Sequence, residues 1–345
     1  MNKLAFQSKF DPAPEVEHLR EELARMAAQL GARKKNQGLI SEAMASVLKS
    51  VQQEAPPRLQ FKLPKKSVVV SPVTHAVHIT DWHIGQVTNA AHIEQFGEFD
   101  HAIAVRRVGQ FGQAVIDKTQ VMRSAYNVEE CHVIGTADWV SGGIHDELIR
   151  TEEFPVPVQA VKAGYLLGNF IAGLSAHFKR VKVDLLTAGN HDRITRKPQA
   201  EDGGLNSWGY VACEIARQAV QAIPNVELKV HVALNTVIEV GGQRYLIAHG
   251  HGIKGTWGIP FYGIERKKQK EAMARMNMPV EKHFDRIVIG HFHTGLNHEH
   301  WMIGGSLTGT TAFDHQEGRH SKAHQTSWFV HPRHGEFDWS RWWLE

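Results

Sequence analysis

A chain of 345 residues can form one large domain or two smaller ones, and its 42% hydrophobic and 22% charged residues are ordinary for a globular protein. This composition excludes a disordered chain, and the glycines and prolines lack the three-residue period of collagen. Only Cys131 and Cys213 are present, which excludes a disulfide framework and favours a reducing compartment, the cytoplasm. We expect no signal peptide in residues 1–17, which carry charges early, and no membrane span.

Charge and histidine are distributed unevenly along the chain. The net charge is only +3, but residues 1–66 hold twelve basic and seven acidic residues, a net charge of +5. The total is therefore too small to indicate a polyanion-binding protein by itself. Histidine is used heavily, at 23 residues. The informative question is whether some of these histidines stand beside carboxylates at the spacing of metal ligands.

The first 66 residues have the pattern of a separate helical module. A second helical pattern runs from Ile40 to Val51, and Pro56-Pro57 ends it. Before it, a heptad stripe predicts a first helix through Val16, Leu19, Leu23, Met26 and Leu30. We predict a helical hairpin and linker over residues 1–66, packed on its own domain or on a partner subunit, and we expect a homo-oligomer. A nucleic-acid-binding module and a disordered segment are the alternatives.

From residue 67 onward, short β-like runs alternate with longer helical patterns, which predicts an α/β layered domain over residues 67–345. The predicted strands cover residues 67–70, 76–80, 130–134, 181–187, 244–248 and 286–289. The predicted helices cover residues 102–123, 158–178 and 208–223. The sequence contains no internal repeat and no low-complexity tract.

Metal-binding residue types follow five of these strands. Because ligands of α/β sheets bind at the carboxyl ends of strands, we expect these segments to form one site. Aspartate, asparagine and histidine without cysteine suit divalent ions such as Mn²⁺, Fe²⁺ or Zn²⁺. The segments are Asp81-Trp82-His83-Ile84-Gly85, Gly135-Thr136-Ala137-Asp138-Trp139, Gly189-Asn190-His191-Asp192, His249-Gly250-His251 and Gly290-His291-Phe292-His293.

The number of candidate ligands predicts two ions. Seven candidate ligands are more than one ion requires, and one bridging carboxylate would let them bind a pair of ions. Two ions about 3.5–4 Å apart clamp a phosphoryl group and activate a bridging water.

In order and separation, these motifs resemble those of the calcineurin-like metallophosphoesterases, over about residues 74–310, and the D-W-H-I-G opening is most similar to the SbcD-like DNA exonuclease and phage-type branch. The resemblance implies a four-layer αββα sandwich within the α/β class. It also implies a dinuclear site, with Mn²⁺ expected first and Fe²⁺, Zn²⁺ or Mg²⁺ as alternatives, that hydrolyses DNA through a metal-bridging hydroxide. The implied ligands are Asp81, His83 and His293 at one ion, Asn190, His249 and His291 at the other, and Asp138 as the bridge.

The resemblance also implies two catalytic residues beside the metals. His191 would protonate the leaving-group oxygen or stabilise phosphoryl charge, and Asp192 would orient His191. The segment Gly304-Gly305-Ser306 resembles the family's glycine–serine segment after the last ligands.

Two assignments stay open at the level of the sequence. The family usually has glycine at the position of Ala137, which leaves Asp146 as the alternative to Asp138 for the bridge. His251 is the alternative to His249 as a ligand, and we otherwise expect His251 to lie close to the substrate.

A basic helical pattern follows the H-G-H motif and bears on the substrate. Its residues Arg266, Lys267 and Lys270 would be a solvated face in most proteins, but their place between two metal motifs favours contact with a phosphate backbone. We therefore predict a DNA phosphodiesterase. The alternatives are a small-molecule phosphatase or pyrophosphohydrolase, and a non-catalytic, metal-stabilised binding scaffold. The G-N-H-D form and the lack of a G-D-x-x-D-R-G pattern disfavour a serine/threonine protein phosphatase.

Overall fold

The computed structural model describes residues 21–29, 31–32, 34–35, 42, 71–198, 204–254 and 260–345. The chain divides into two compact units, Met1–Ser67 and Val68–Glu345. In the first unit, residues 21–29 are helical, and Leu23 and Met26 are exposed. The remaining residues of the predicted heptad stripe and most of the second predicted helix lie outside the described residues, as does the predicted strand over residues 67–70. The helical hairpin therefore stays a prediction.

The described part of the second unit contains eleven strands and six α-helices. The strands are β1 (Pro72–Ile79), β2 (Asn127–Gly135), β3 (Arg180–Leu186), β4 (Val226–His231), β5 (Asn235–Val240), β6 (Gln243–Ala248), β7 (Arg286–Ile289), β8 (Leu296–Asn297), β9 (Trp301–Ile303), β10 (His324–His331) and β11 (Gly335–Trp343). The helices are α1 (His101–Met122), α2 (Asp146–Thr151), α3 (Val156–Ser175), α4 (Trp208–Val220), α5 (Phe261–Ala274) and α6 (Ala312–Gln316). None of the described helices is long and apolar enough to cross a membrane.

The strands form two sheets, with orders β11-β10-β1-β2-β3-β4 and β5-β6-β7-β9-β8. In the first sheet β1 to β4 run parallel, and β10 and β11 are antiparallel additions beside β1. In the second sheet β6, β7 and β9 are parallel. Because parallel strands end at the same edge, the loops after β1, β2 and β3 lie together, and so do the loops after β6 and β7.

Buried apolar side chains form three clusters that hold these layers together. The largest packs helices α1, α3 and α4 on the first sheet, with Phe111 and Leu167 among its members. A second cluster joins the two sheets, where Ile134 of β2 and Tyr245 of β6 belong to one group. A third packs Ile264 of α5 against the second sheet. An α/β fold with two packed sheets is therefore confirmed, whereas the four-layer description stays a prediction.

Side-chain caps explain where two of the long helices begin. The Asp100 carboxylate accepts the Ile103 N–H at 2.8 Å and starts α1. The Ser207 hydroxyl accepts the Tyr210 N–H at 3.0 Å and starts α4. Such caps satisfy backbone donors that have no partner within the helix. The Trp208 N–H, at the start of α4, also donates to the Asp192 carbonyl at 2.8 Å, which ties this helix to the G-N-H-D segment.

Candidate metal centre

The loops after five strands bring the predicted ligands together at the edge shared by the two sheets. Among the described residues, three groups have potential ligand atoms that all lie within 4.8 Å of one another. Because His83 and Asp138 each belong to two groups, the three groups form one continuous site. The groups are Asp81, His83 and His293; His83, Asp138 and His191; and Asp138, His249 and His291.

The backbone at most of these ligands has an unusual conformation. The φ angles of five ligands lie between 46° and 71°, in the left-handed region that non-glycine residues rarely occupy. Backbone hydrogen bonds between loops hold this conformation, including the bond from the Asp81 N–H to the Ala137 carbonyl at 3.1 Å. Strain of this kind clusters at functional sites. The five ligands are Asp81, His83, Asp138, His291 and His293.

One carboxylate oxygen of Asp81 faces His83 and His293, and the other accepts hydrogen bonds from neighbouring residues. Its Oδ2 accepts the Thr80 hydroxyl at 2.6 Å and the His291 N–H at 2.9 Å, and that N–H is 3.2 Å from Oδ1. Its Oδ1 lies 3.3 Å from Nε2 of His293 and 3.6 Å from Nε2 of His83. Burial opposes ionisation, but the hydrogen bonds from these two histidines hold the pKa of Asp81 well below its usual range. Asp81 is thus arranged to bind a cation through Oδ1.

The sequence analysis missed the residues that position Asp81. Besides its hydroxyl bond, Thr80 forms two backbone hydrogen bonds with the buried side chain of Gln325 on β10. The amide oxygen of Gln325 accepts the Thr80 N–H at 2.9 Å, and its amide nitrogen donates to the Thr80 carbonyl at 3.0 Å. No local sequence pattern links these positions, because the contact spans 245 residues.

Asp138 occupies the central position of the site. Its Oδ2 lies 2.9 Å from Nε2 of His249 and 4.0 Å from Nε2 of His83, while its Oδ1 accepts the His191 N–H at 2.8 Å. A single oxygen therefore lies between the two groups of histidines, as a bridging ligand requires. Burial opposes ionisation, but the charge of His249 dominates and keeps the pKa of Asp138 far below its usual range. The alternative, Asp146, is exposed at the start of α2 and pairs with Arg196 at 2.7 Å.

His249, rather than His251, faces the centre. The Nδ1–H of His249 donates to the Thr136 carbonyl at 2.8 Å, which directs Nε2 at Asp138 and at Oδ1 of Asn190, 3.0 Å away. Burial lowers the pKa of His249, but Asp138 raises it to about 9. His251 lies outside the three groups, with its ring centroid 5.6 Å from that of His249.

The sequence analysis also missed Asp314, which contacts His293 of the candidate site. Its Oδ2 lies 3.6 Å from Nδ1 of His293, on the far side of that ring from His83. Burial lowers the pKa of His293, but the carboxylates of Asp314 and Asp81 raise it to about 10. Carboxylates behind metal-binding histidines commonly fix the ring and raise its basicity. The sequence signal was a capping box, in which Thr311 and Asp314 cap α6 reciprocally.

His191 lies beside the centre with a fixed ring orientation. Its ring centroid is 4.6 Å from that of His83, and its Nδ1 is 2.7 Å from the Ser141 carbonyl oxygen. Since a carbonyl can only accept, Nδ1 carries the proton and Nε2 is left for a substrate. Burial lowers the pKa of His191 to about 4, although the charge of Asp138 acts in the opposite direction.

Among the described residues, no hydrogen bond joins the Asp192 carboxylate to the His191 ring, whose Nδ1 faces the Ser141 carbonyl. The Asp192 carboxylate instead accepts backbone N–H groups of the loop after β2, from Asp138 at 2.8 Å, Trp139 at 2.9 Å and Val140 at 3.3 Å. His191 and Asp192 are neighbours in sequence, but their side chains serve different loops. Asp192 therefore holds the backbone of Asp138, and its orienting role toward His191 stays a prediction.

The predicted glycine–serine segment supports the same loops. The Gly304 N–H donates to the carbonyl of Ile289 at 2.7 Å, and the Leu307 N–H donates to the carbonyl of Asp81 at 3.1 Å. Gly304, Gly305 and Ser306 are all buried. A side chain at Gly305 would come within 2.3 Å of the His324 carbonyl, which explains the glycine there.

The basic residues of α5 lie on the surface, and one of them is already paired. Lys267 lies 2.6 Å from Glu271, whereas Arg266 and Lys270 are exposed and form no salt bridge with the described residues. Partial burial, aided by the charges of His249, Arg193 and Lys267, lowers the pKa of His251 to about 4. Lys267 and Arg193 are therefore near this flank of the centre, and Arg193 was not singled out from the sequence.

The donor set of the centre fits divalent cations. It combines imidazole nitrogens with carboxylate and amide oxygens, without sulfur, and Nε2 of His83 and Nε2 of His293 face each other at 3.2 Å. Two imidazole nitrogens and the Asp81 carboxylate that converge on one point need a shared cation or shared protons between them. The centre could thus hold metal ions.

Comparisons with known proteins add little to this geometry. No known family model and no curated protein matches the chain. Among solved structures, TT1561 of Thermus thermophilus aligns over 80% of this chain and 100% of its own, with 8% identity and a TM-score of 0.34. Vps29 of Chaetomium thermophilum aligns over 51% of this chain and 89% of its own, with 12% identity and a TM-score of 0.27. Similarity this weak supports no argument about activity, so the function follows from the site.

Proposed function

We propose that this protein is a dinuclear, metal-dependent phosphodiesterase of the calcineurin-like kind that hydrolyses DNA. The observation that carries the proposal is the position of Asp138, whose Oδ2 lies between Nε2 of His249 and Nε2 of His83. One oxygen placed between two sets of imidazoles is the arrangement that a pair of cations requires.

The ligands divide into two sets around this oxygen. A bound pair of cations, with Mn²⁺ as the expected metal, would polarise a phosphoryl group as Lewis acids. The cations would also make a bound water more acidic. Asp138 would contact both ions. One set is Asp81, His83 and His293, and the other is Asn190, His249 and His291.

His191 contributes proton chemistry from its free nitrogen. With Nδ1–H bound to the Ser141 carbonyl, Nε2 can donate only when the ring is a cation. Burial disfavours that cation, while an anionic phosphate beside Nε2 would favour it. We propose that substrate binding charges His191, which then protonates the leaving-group oxygen.

Cations that extend away from the centre favour a polymeric substrate. The charges of Arg193 and Lys267 act on His251, and Arg266 and Lys270 are exposed on α5. A row of cations holds phosphates adjacent to the one being cleaved, which a small ester lacks. We further propose that the first unit supports a homo-oligomer, since Leu23 and Met26 are exposed on a helix in that unit.

A small-molecule phosphatase or pyrophosphohydrolase is the second candidate, because one observation favours it. The pairing of Lys267 with Glu271 at 2.6 Å neutralises the middle of the cationic row. A substrate that ends near His251 would not need the rest of α5.

The test compares substrates and metals in one experiment. Labelled single-stranded DNA, double-stranded DNA, RNA and bis(nitrophenyl) phosphate are each incubated with Mn²⁺, Mg²⁺ or a chelator. We expect DNA cleavage that is highest with Mn²⁺ and absent with the chelator. Full activity after exhaustive chelation would refute the metal proposal.

Two triple variants that remove the same number of positive charges test whether the substrate is a polymer. Replacing Arg266, Lys267 and Lys270 by alanine should raise KM for DNA and weaken its salt dependence, and should leave bis(nitrophenyl) phosphate hydrolysis unchanged. The control replaces Lys179, Arg180 and Lys182, which lie at the opposite end of β3 from the centre. If DNA is not cut, and a nucleotide or sugar phosphate is hydrolysed at a rate that does not depend on salt, the protein is a small-molecule phosphatase and the nuclease assignment is wrong.

A further inference from the structure

Two exposed phenylalanine rings belong to a surface group that includes residues of α6, and we call this group the aromatic rim. Phe96 and Phe313 are 51% and 61% exposed. The rings of Phe96 and His320 stack with centroids 4.2 Å apart and planes 27° apart, and the Arg319 guanidinium lies 5.1 Å from the centroid of the Phe313 ring. The rim consists of Phe96, Phe313, His315, Arg319 and His320.

The rim is physically coupled to the metal centre through α6. Asp314, in the middle of this helix, lies 3.6 Å from Nδ1 of the proposed ligand His293. Phe313 and His315 immediately flank Asp314, and the capping box of Thr311 fixes the helix start. Phe313 and His315 are therefore each one residue away from the carboxylate that faces His293.

The chemistry of the rim differs from that of α5. Two exposed phenylalanine rings in one group, with a cation over one of them, offer a flat apolar surface on which another aromatic group can stack. Nearby charges nearly balance: Arg319 is positive, but Glu94 lies 3.9 Å from Nε2 of His315. Such a surface suits an uncharged, flat group better than a further phosphate.

We propose that the aromatic rim is a subsite that stacks a nucleobase of the substrate, next to the phosphate held at the metal centre. The inference rests on the proposed function, because it assigns the phosphate to that centre. A strand whose phosphate lies beside His293 has its neighbouring base within reach of α6, and sequence-tolerant stacking on aromatic rings is how single strands are held. Phe313 is the residue most available to a base, since it is the more exposed of the two phenylalanines.

Binding with the metals chelated tests the inference without any need for hydrolysis. The probes are two short fluorescent single-stranded DNAs of equal charge, one normal and one with abasic sites, measured by anisotropy. We expect the wild type to bind the normal strand about tenfold more tightly, and Phe313→Ala to abolish this preference. Phe313→Tyr should retain it, and Tyr165→Ala, which removes an exposed ring on α3, should not affect it. An unchanged preference in Phe313→Ala, or equal binding of both probes by the wild type, would overturn the proposal.

Hydrolysis of the same probes separates the two proposals. If the wild type cleaves both strands and Phe313→Ala slows only the normal one, both proposals hold. If neither strand is cleaved with Mn²⁺ but the binding preference depends on Phe313, the subsite stands and the nuclease assignment fails. If Phe313→Ala slows cleavage of the two strands equally, α6 supports His293 and does not stack a base.

Discussion

Two pairs of histidines show how the surroundings of a ring differ between the protein core and the candidate metal centre. His75 and His78 of β1 are fully buried, and burial lowers their pKa values to about 3. His249 is also buried and His293 is partly buried, but facing carboxylates raise their pKa values to about 9 and 10. Burial alone thus gives a neutral core residue. Convergence of carboxylates on the same ring gives a site that attracts positive charge.

The partners of the core pair are neutral. Nδ1 of His75 is 2.8 Å from the Thr119 hydroxyl, and its ring stacks on Phe329 with centroids 4.1 Å apart. Nε2 of His78 is 2.8 Å from the Thr136 hydroxyl. Hydroxyl groups satisfy an imidazole without favouring its charged form. Five variants test how far this contrast holds.

The largest effect should come from Asp138→Asn, which removes the carboxylate nearest to His249 and leaves only Asp81, 4.0 Å from its Nε2. We expect a loss of at least about 10³-fold in hydrolysis, because both proposed ions lose a ligand. Elemental analysis should find fewer metal ions per chain than in the wild type. Asp146→Asn, an exposed acid on α2, is the control and should behave like the wild type. Full metal content in Asp138→Asn would place the bridge elsewhere.

His191 shares features with both pairs of histidines. Burial lowers its pKa, as in His75 and His78, although the Asp138 carboxylate is close to it. We expect His191→Ala to keep its metals and to lose about 10²–10⁴-fold in turnover, the usual contribution of a general acid. The loss should be smaller for nitrophenyl esters than for alkyl esters, because good leaving groups need less protonation. His145→Ala, at the exposed start of α2, is the control. Equal losses for both leaving groups would contradict the acid role.

Asp192 is a buried carboxylate that faces backbone N–H groups instead of a histidine. In Asp192→Asn, the amide NH₂ would oppose one of those donors, so we expect the free energy of unfolding to fall by about 1–3 kcal/mol and metal binding to weaken. Urea unfolding and metal titration measure the two effects, with the exposed Asp117→Asn as the control. A changed leaving-group dependence with normal metal affinity would instead support a direct link to His191.

His75 should make folding sensitive to acid. Its folded pKa of about 3 lies below the ordinary 6.5, so the unfolded chain takes up the proton first, and stability falls as the pH drops below 6.5. The slope from this group is about 1.4 kcal/mol per pH unit until about pH 3. Urea unfolding of His75→Gln with metals chelated should show a shallower slope between pH 6.5 and 4.5. His177→Gln, an exposed histidine, should retain the wild-type slope, and an unchanged slope in His75→Gln would contradict the assignment.

Ala137→Gly should have the smallest effect. The φ of Ala137 is 73°, so glycine relieves about 1 kcal/mol of strain, but it also removes a buried methyl worth about 0.8 kcal/mol. We expect the free energy of unfolding to change by less than about 1 kcal/mol. Ala163→Gly, buried in the middle of α3, has no strain to relieve and should cost about 1–2 kcal/mol. Equal destabilisation in the two variants would show that the left-handed backbone at Ala137 is not strained.

The sequence allowed the main strands, the long helices and the ligand clusters to be predicted, because each is a local pattern. Apolar runs followed by polar, glycine-rich turns mark β1, β2, β3, β6 and β7, and helical periodicity marks α1, α3 and α4. β10 was missed, because its residues are all buried and more than half of them are polar or histidine. A strand covered on both faces shows no alternation of polar and apolar residues.

The supporting residues of the site could not be predicted, for a related reason. Thr80 and Gln325 meet across 245 residues, and Asp314 acts from a helix of only five residues. Periodicity describes neighbours along the chain, whereas these contacts exist only once both ends of the domain have folded. The hydrogen bonds of Asp192 could not be predicted either, because they join it to the loop after β2, 52 to 54 residues earlier.

The candidate ligands follow strands of both sheets, so the site can form only late in the synthesis and folding of the chain. The His291 N–H bonds to the Asp81 carboxylate across 210 residues, so Asp81 has only part of its final surroundings until the second sheet has been synthesised and docked. A nascent chain that ends before β7 contains His83, His191 and His249 but lacks His291 and His293. Cations that bind only the finished site would shift the folding equilibrium towards it, by about 2.7 kcal/mol at one hundred times their dissociation constant. Metal supply during translation would then determine how much of the newly made protein survives proteolysis.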